Sequence, residues 1–89
     1  MTRIEVQIAN RLGLHARAAA RFVHLANRFQ SQIFVAKDGT RVDGKSILGL
    51  LTLAAAKGTR LTLTAEGQDE QEALDALTGL IDDQFGEGG

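Results

Sequence analysis

Two hydrophobic periods alternate along this chain, and their order confines it to few folds. Arg3-Ile4-Glu5-Val6-Gln7-Ile8 alternates strictly, with Ile4, Val6 and Ile8 on one face of a half-buried strand. Ala19, Phe22, Val23 and Ala26 then recur at i, i+3, i+4 and i+7, the apolar face of a helix running from about Ala16 to Asn27 or Phe29. Gln32-Ile33-Phe34-Val35-Ala36 is β-branched and apolar, and Lys37-Asp38-Gly39 signals a hairpin whose return arm is Thr40-Arg41-Val42-Asp43. Ser46 is placed to cap a short apolar helix from Ile47 to about Leu53. After a turn ending at Gly58, Arg60-Leu61-Thr62-Leu63-Thr64-Ala65 alternates again. The last helix is predicted from about Asp69 to Gln84, with Ala73, Leu74, Leu77, Leu80 and Ile81 facing inward and Asp69, Glu70 and Glu72 in its first turns. Gly86-Glu87-Gly88-Gly89 is predicted to fray as a flexible tail.

The order βαββαβα describes an α+β sandwich, with helices on one face of an antiparallel sheet whose other face is wet. Eighty-nine residues make one domain, and 44% hydrophobic content is enough for a compact core. No apolar run approaches the roughly 20 residues of a membrane span. Met1-Thr2-Arg3-Ile4-Glu5 lacks the apolar core of a signal peptide, so a cytoplasmic protein without membrane insertion is expected. Cysteine is absent, which removes disulfides and thiolate metal sites. A formal charge of −1, with four Phe and neither Tyr nor Trp, offers no general attraction or stacking platform to nucleic acid.

The chemistry concentrates where the first helix begins. Asn10-Arg11-Leu12-Gly13-Leu14 is a polar turn with a glycine, and His15 stands at its junction with the helix. The first amides of a helix lack intrahelical partners, and the macrodipole leaves that end partly positive. An imidazole there can carry an anionic group whose oxygens meet the free N–H groups of Ala16 and Arg17. The guanidinium of Arg17 adds a fork suited to phosphate oxygens. The arrangement reads as a site for a phosphorylated histidine. His24, mid-helix and without such neighbours, reads as a surface residue. Nine residues of helix would separate the two histidines by about 13 Å, which disfavours a shared metal site.

A second pattern competes. Gly39-Thr40-Arg41-Val42-Asp43-Gly44-Lys45-Ser46 matches the phosphate-loop pattern GxxxxGK[ST] and lies between a strand and a helix. Its middle four residues read as a hairpin arm, however, and a nucleotide-binding domain needs a parallel sheet buried on both faces. Nucleotide binding is therefore disfavoured.

Gly13-Leu14-His15-Ala16-Arg17-Ala18-Ala19 resembles the active-site signature of the HPr family, the histidine phosphocarriers of the bacterial phosphoenolpyruvate-dependent phosphotransferase system. Lys45-Ser46-Ile47-Leu48-Gly49-Leu50-Leu51-Thr52-Leu53 resembles the family's regulatory-serine region, and the resemblance spans essentially the whole chain. Many members carry proline where this chain has Ala18, a change that a helix's first turn tolerates. The resemblance implies an open-faced β-sandwich with strand order 1-4-2-3 and three helices on one face. It implies a relay without turnover of its own and without a cofactor. His15 would accept a phosphoryl group on Nδ1 from phosphorylated enzyme I, Arg17 would steady it, and enzyme IIA-type proteins would receive it. Ser46 would be the regulatory acceptor of the HPr kinase/phosphorylase, beyond its capping role. Ala20, Ile47, Leu48 and Leu51 would meet partners, since Ile47, Leu48, Leu51 and Leu53 are too many for one inward face. Arg21 and Arg28 would meet acidic partner surfaces or stay solvated. The protein is expected to act as a monomer. A carrier of the nitrogen-related branch of the same system, or a regulatory binding module, remains an alternative.

Overall fold

The computed structural model describes residues 1–87. The elements follow in the order β1 (Thr2–Gln7), α1 (Ala16–Ala26), β2 (Gln32–Lys37), β3 (Thr40–Asp43), α2 (Ile47–Thr52), β4 (Arg60–Glu66) and α3 (Glu70–Asp82), closed by a 3-10 turn at Gln84–Gly86. The four strands form one antiparallel sheet in the order β1-β4-β2-β3. That is the strand order implied above, and the helices cover one face of it.

Register follows the alternation. Ile4, Leu63, Val35 and Val42 stand opposite one another across all four strands. Leu63 and Val35, on the two central strands, are fully buried, whereas Ile4 on the edge strand is 38% exposed. The inward face of β1 is thus carried by Val6 and by Ile8 just beyond the strand. The opposite face holds Thr62, Thr64 and Phe34, with the Arg41 guanidinium 3.8 Å above the Phe34 ring. The β2–β3 turn runs through Asp38 (φ 50°) and Gly39 (φ 83°), the paired left-handed conformation of tight hairpins.

The helices depart from expectation in two places. In α2 the residue at the bottom of the core is Leu50, which the sequence reading leaves out of its apolar set. Leu53 is buried as well, Leu51 is half-buried, and Ile47 and Leu48 are 40% and 77% exposed. In α3, Ala73, Leu74, Leu77 and Ile81 are buried, while Leu80 is only partly so. The helix stops at Asp82 rather than Gln84. Asp82 and Asp83 put carboxylates at the negative end of the macrodipole with no basic residue in the last turn, which opposes further winding. Gln84 (φ 55°) and Phe85 (φ 54°) then turn left-handed and drive the Phe85 ring into the core. Of the four residues predicted to fray, Gly86 belongs to this turn and Glu87 lies against His15. Gly88 and Gly89 lie outside the described residues.

Asp69 stands before α3 without capping it. Its carboxylate instead accepts from the Gln30 and Ser31 amides at 2.8 and 3.0 Å and from the Ser31 hydroxyl. The start of α3 is thereby tied to the chain entering β2.

Candidate functional site

The turn before α1 is held by its backbone. Gly13 has φ 69°, and a Cβ there would stand 2.4 Å from the Ala55 carbonyl oxygen. Only glycine allows both the left-handed conformation and this approach. The next amide, Leu14 N–H, donates to that same oxygen at 2.8 Å, and Leu14 is buried. Asn10 is fully buried beneath the turn, and its Nδ2 donates to the Gly13 carbonyl at 2.7 Å. The chain therefore delivers His15 to the helix start in one orientation.

His15 is the N-cap of α1, in extended conformation (φ −82°, ψ 179°), and its carbonyl accepts from Ala19 N–H at 2.8 Å. Its ring makes no capping bond to the helix amides. The N–H groups of Ala16 and Arg17 stay available beside an imidazole whose side chain is 28% exposed. No acidic residue occupies the first turn of α1 to compete for that positive end. Ala18 follows as the third helical residue, fully buried.

A shallow groove opens over this helix start. Arg11, Arg17 and Arg21 line it with His15 and one carboxylate, Glu87. With His15 neutral, those side chains carry a net excess of two positive charges, which suits a phosphoryl dianion. Arg17 is exposed. Arg21 donates through Nη1 to the Phe85 carbonyl and fastens the C-terminal turn over α1. The Glu87 carboxylate meets His15 Nε2 through Oε2 and accepts from Asn10 Nδ2 at 2.9 Å through Oε1. These bonds hold its carboxyl below the usual glutamate range, Asn10 chiefly, then His15, with the Arg21 charge adding.

Of the residues singled out from the sequence, the groove collects His15, Ala16, Arg17 and Arg21. Ala20 is exposed farther along α1, Ser46 stands just before α2, and Ile47, Leu48 and Leu51 belong to α2, which packs beside α1. Ser46 caps α2, its Oγ accepting from Gly49 N–H at 3.0 Å. Sequence reasoning missed Asn10, Arg11 and Glu87 as site residues, along with Leu12, 62% exposed on the groove's rim. Glu87 stands 72 residues from His15 and sits among glycines, so no local pattern announces it. The phosphate-loop match resolves as the hairpin arm. Thr40–Asp43 is strand β3 paired to β2, and Lys45 Nζ donates to the Phe29 carbonyl at 2.8 Å. Among the described residues, no group of three or more His, Cys, Asp or Glu could hold a metal ion, and no helix is long and apolar enough to cross a membrane.

A βαββαβα sandwich that presents a histidine at a helix start, its ring making no bond to the helix amides, defines a class of small single-sheet α+β domains. The comparisons narrow it. Residues 2–83 match the family model described as the PTS HPr component phosphorylation site. The phosphocarrier protein HPr of Neisseria meningitidis is 52% identical over 88 residues, covering 99% of each chain. A crystal structure of HPr from Thermoanaerobacter tengcongensis superposes with a TM-score of 0.94 at 48% identity, covering 98% of both chains. A crystal structure of an HPr dimer from that organism gives 0.79 at the same identity, covering 98% of this chain and 100% of that one. The chain belongs to the HPr family, phosphocarrier proteins of the phosphotransferase system. Members of this family are relays, not enzymes with turnover.

Proposed function

We propose that His15 takes a phosphoryl group from phosphorylated enzyme I and passes it to enzyme IIA-type or regulatory acceptors. The observation that carries this reading is the His15 ring, free of capping duty, beside the amides of Ala16 and Arg17, which find no partner among the described residues, in a cationic groove. The attacking imidazole must be neutral, so that a ring lone pair is available. The phosphoryl oxygens would meet the two amides and the Arg17 fork, which supply positioning and charge stabilisation, the two things phosphoryl transfer chiefly requires. All these groups lie at an exposed helix end, open to a donor and then to an acceptor.

Partner proteins would dock across α1 and α2 through Ala20, Ile47, Leu48 and Leu51. The exposure of Ile47 and Leu48 supports this, and Leu51 contributes only its outer edge. Ser46 would be a regulatory phosphorylation site for an HPr kinase/phosphorylase. Its partly exposed hydroxyl at the start of α2 supports that role. The protein would work in the cytoplasm as a monomer, in contrast to the dimeric Thermoanaerobacter structure.

Incubation with enzyme I, magnesium and phosphoenolpyruvate should add one acid-labile phosphoryl group per chain. His15→Ala should abolish labelling with the fold intact, and His24→Ala should retain it. Labelling that survives His15→Ala would sink the assignment.

A further inference from the structure

The segment from Phe85 to Glu87 is built over the site. Phe85 is buried, its carbonyl accepts from Arg21, and fully buried Asn10 holds one oxygen of the Glu87 carboxylate. The other oxygen meets His15 Nε2. A carboxylate has only lone pairs to offer, so the ring nitrogen facing it carries the proton. The remaining ring nitrogen, Nδ1, keeps its lone pair.

We infer that Glu87, held by Asn10, is a positioning residue that keeps the His15 proton on Nε2 and reserves Nδ1 for phosphoryl transfer. The inference rests on the proposed relay at His15. In the transfer, the Nδ1 lone pair attacks phosphorus, the donor's bond to phosphorus breaks, and its electron pair returns to the donor. The Nε2 proton stays in place, so the product ring is a cation phosphorylated on Nδ1, and the Glu87 carboxylate offsets the charge as it forms. Arg11, Arg17 and Arg21 are the other charged groups at the groove, and none can serve this end of the ring, since guanidinium offers no acceptor. Asn10 and Glu87 act together: without the buried amide, the carboxylate would have only the His15 ring itself to hold it.

The test uses the whole ¹⁵N-labelled chain with neutral imidazole, and phosphoramidate as a small phosphoryl donor. Wild type should show a downfield His15 Nε2–H resonance protected from exchange. Its phosphorylated product should carry phosphorus on Nδ1 alone. Glu87→Ala should lose the resonance, yield product on both nitrogens and react about tenfold more slowly at Nδ1. Glu87→Gln keeps an acceptor without its charge, and should preserve Nδ1 selectivity while remaining slow. A protected Nε2–H and Nδ1-only product at wild-type rate in Glu87→Ala would overturn the inference. Because phosphoramidate needs no protein donor, failure of enzyme I to label wild type would count against the relay alone.

Discussion

At the scale of single residues, Arg17 and Arg21 show how position divides like side chains. Both line the groove, yet Arg21 is committed to the Phe85 carbonyl and Arg17 stands exposed at the helix start. Arg17→Ala should slow transfer to and from His15 while barely changing thermal stability. A charged hydrogen bond made in the transition state contributes about 1.5–3 kcal/mol, or roughly ten- to a hundred-fold in rate. Arg17→Lys should recover only part, because an ammonium lacks the planar fork. Single-turnover transfer rates with thermal melts decide it, and a wild-type rate in the alanine variant removes Arg17 from the site. His15 and Arg17 are visible in the sequence because both lie within three residues of Ala18 along one helix start. Asn10 and Glu87 are not, since only the folded chain brings residues 77 apart into one hydrogen bond.

Among the elements, α2 depends most on one polar bond. It spans six residues, too few for helix propensity to hold it alone, so the Ser46 cap and the buried Leu50 set its place. Ser46→Ala should lose about 1 kcal/mol. A phosphate on Ser46 adds about −1.5 to −2 charges beside the proposed docking surface and should weaken acidic partners without unfolding the domain. Ser46→Asp keeps a capping oxygen, and should show slower His15 labelling at limiting enzyme I with an unchanged or raised melting temperature. Labelling as efficient as wild type would leave Ser46 as a cap only. Short elements also mark where periodicity loses force. The alternation of β4 and the spacing of α1 locate both elements closely, whereas six residues of nearly continuous apolar sequence hide that Leu50 points inward and Leu48 outward. The end of α3 is missed for another reason: Phe85 lies in helical phase with Ile81, but two aspartates and a left-handed turn bury it by a different route.

Across the whole molecule, carboxylates join distant parts of the chain. Asp69 is lowered below the usual range, first by the Ser31 hydroxyl and then by the Gln30 amide. Glu70 is lowered by Thr2, the Gly67 amide and the N-terminal ammonium, the last at 3.2 Å. Glu87 is lowered as described, so all three bind protons more weakly folded than unfolded. Their stabilisation is complete above the unfolded carboxylate range, about pH 4, and fades as pH falls through the lower folded values. Denaturant unfolding should therefore show wild type clearly more stable than Asp69→Asn at neutral pH, with the gap closing in acid. A gap constant from neutral pH to about pH 2 would contradict the linkage.

Everything proposed for this molecule depends on relay of a phosphoryl group through one nitrogen of one histidine. The most direct measurement is a chase. The chain is phosphorylated with enzyme I and phosphoenolpyruvate, freed of both, and mixed with an enzyme IIA-type acceptor. Label should leave His15 as it arrives on the acceptor, in equal amount, and Arg17→Ala should slow both changes together. Label that stays on the chain with a competent acceptor present, or leaves only as inorganic phosphate, would contradict it.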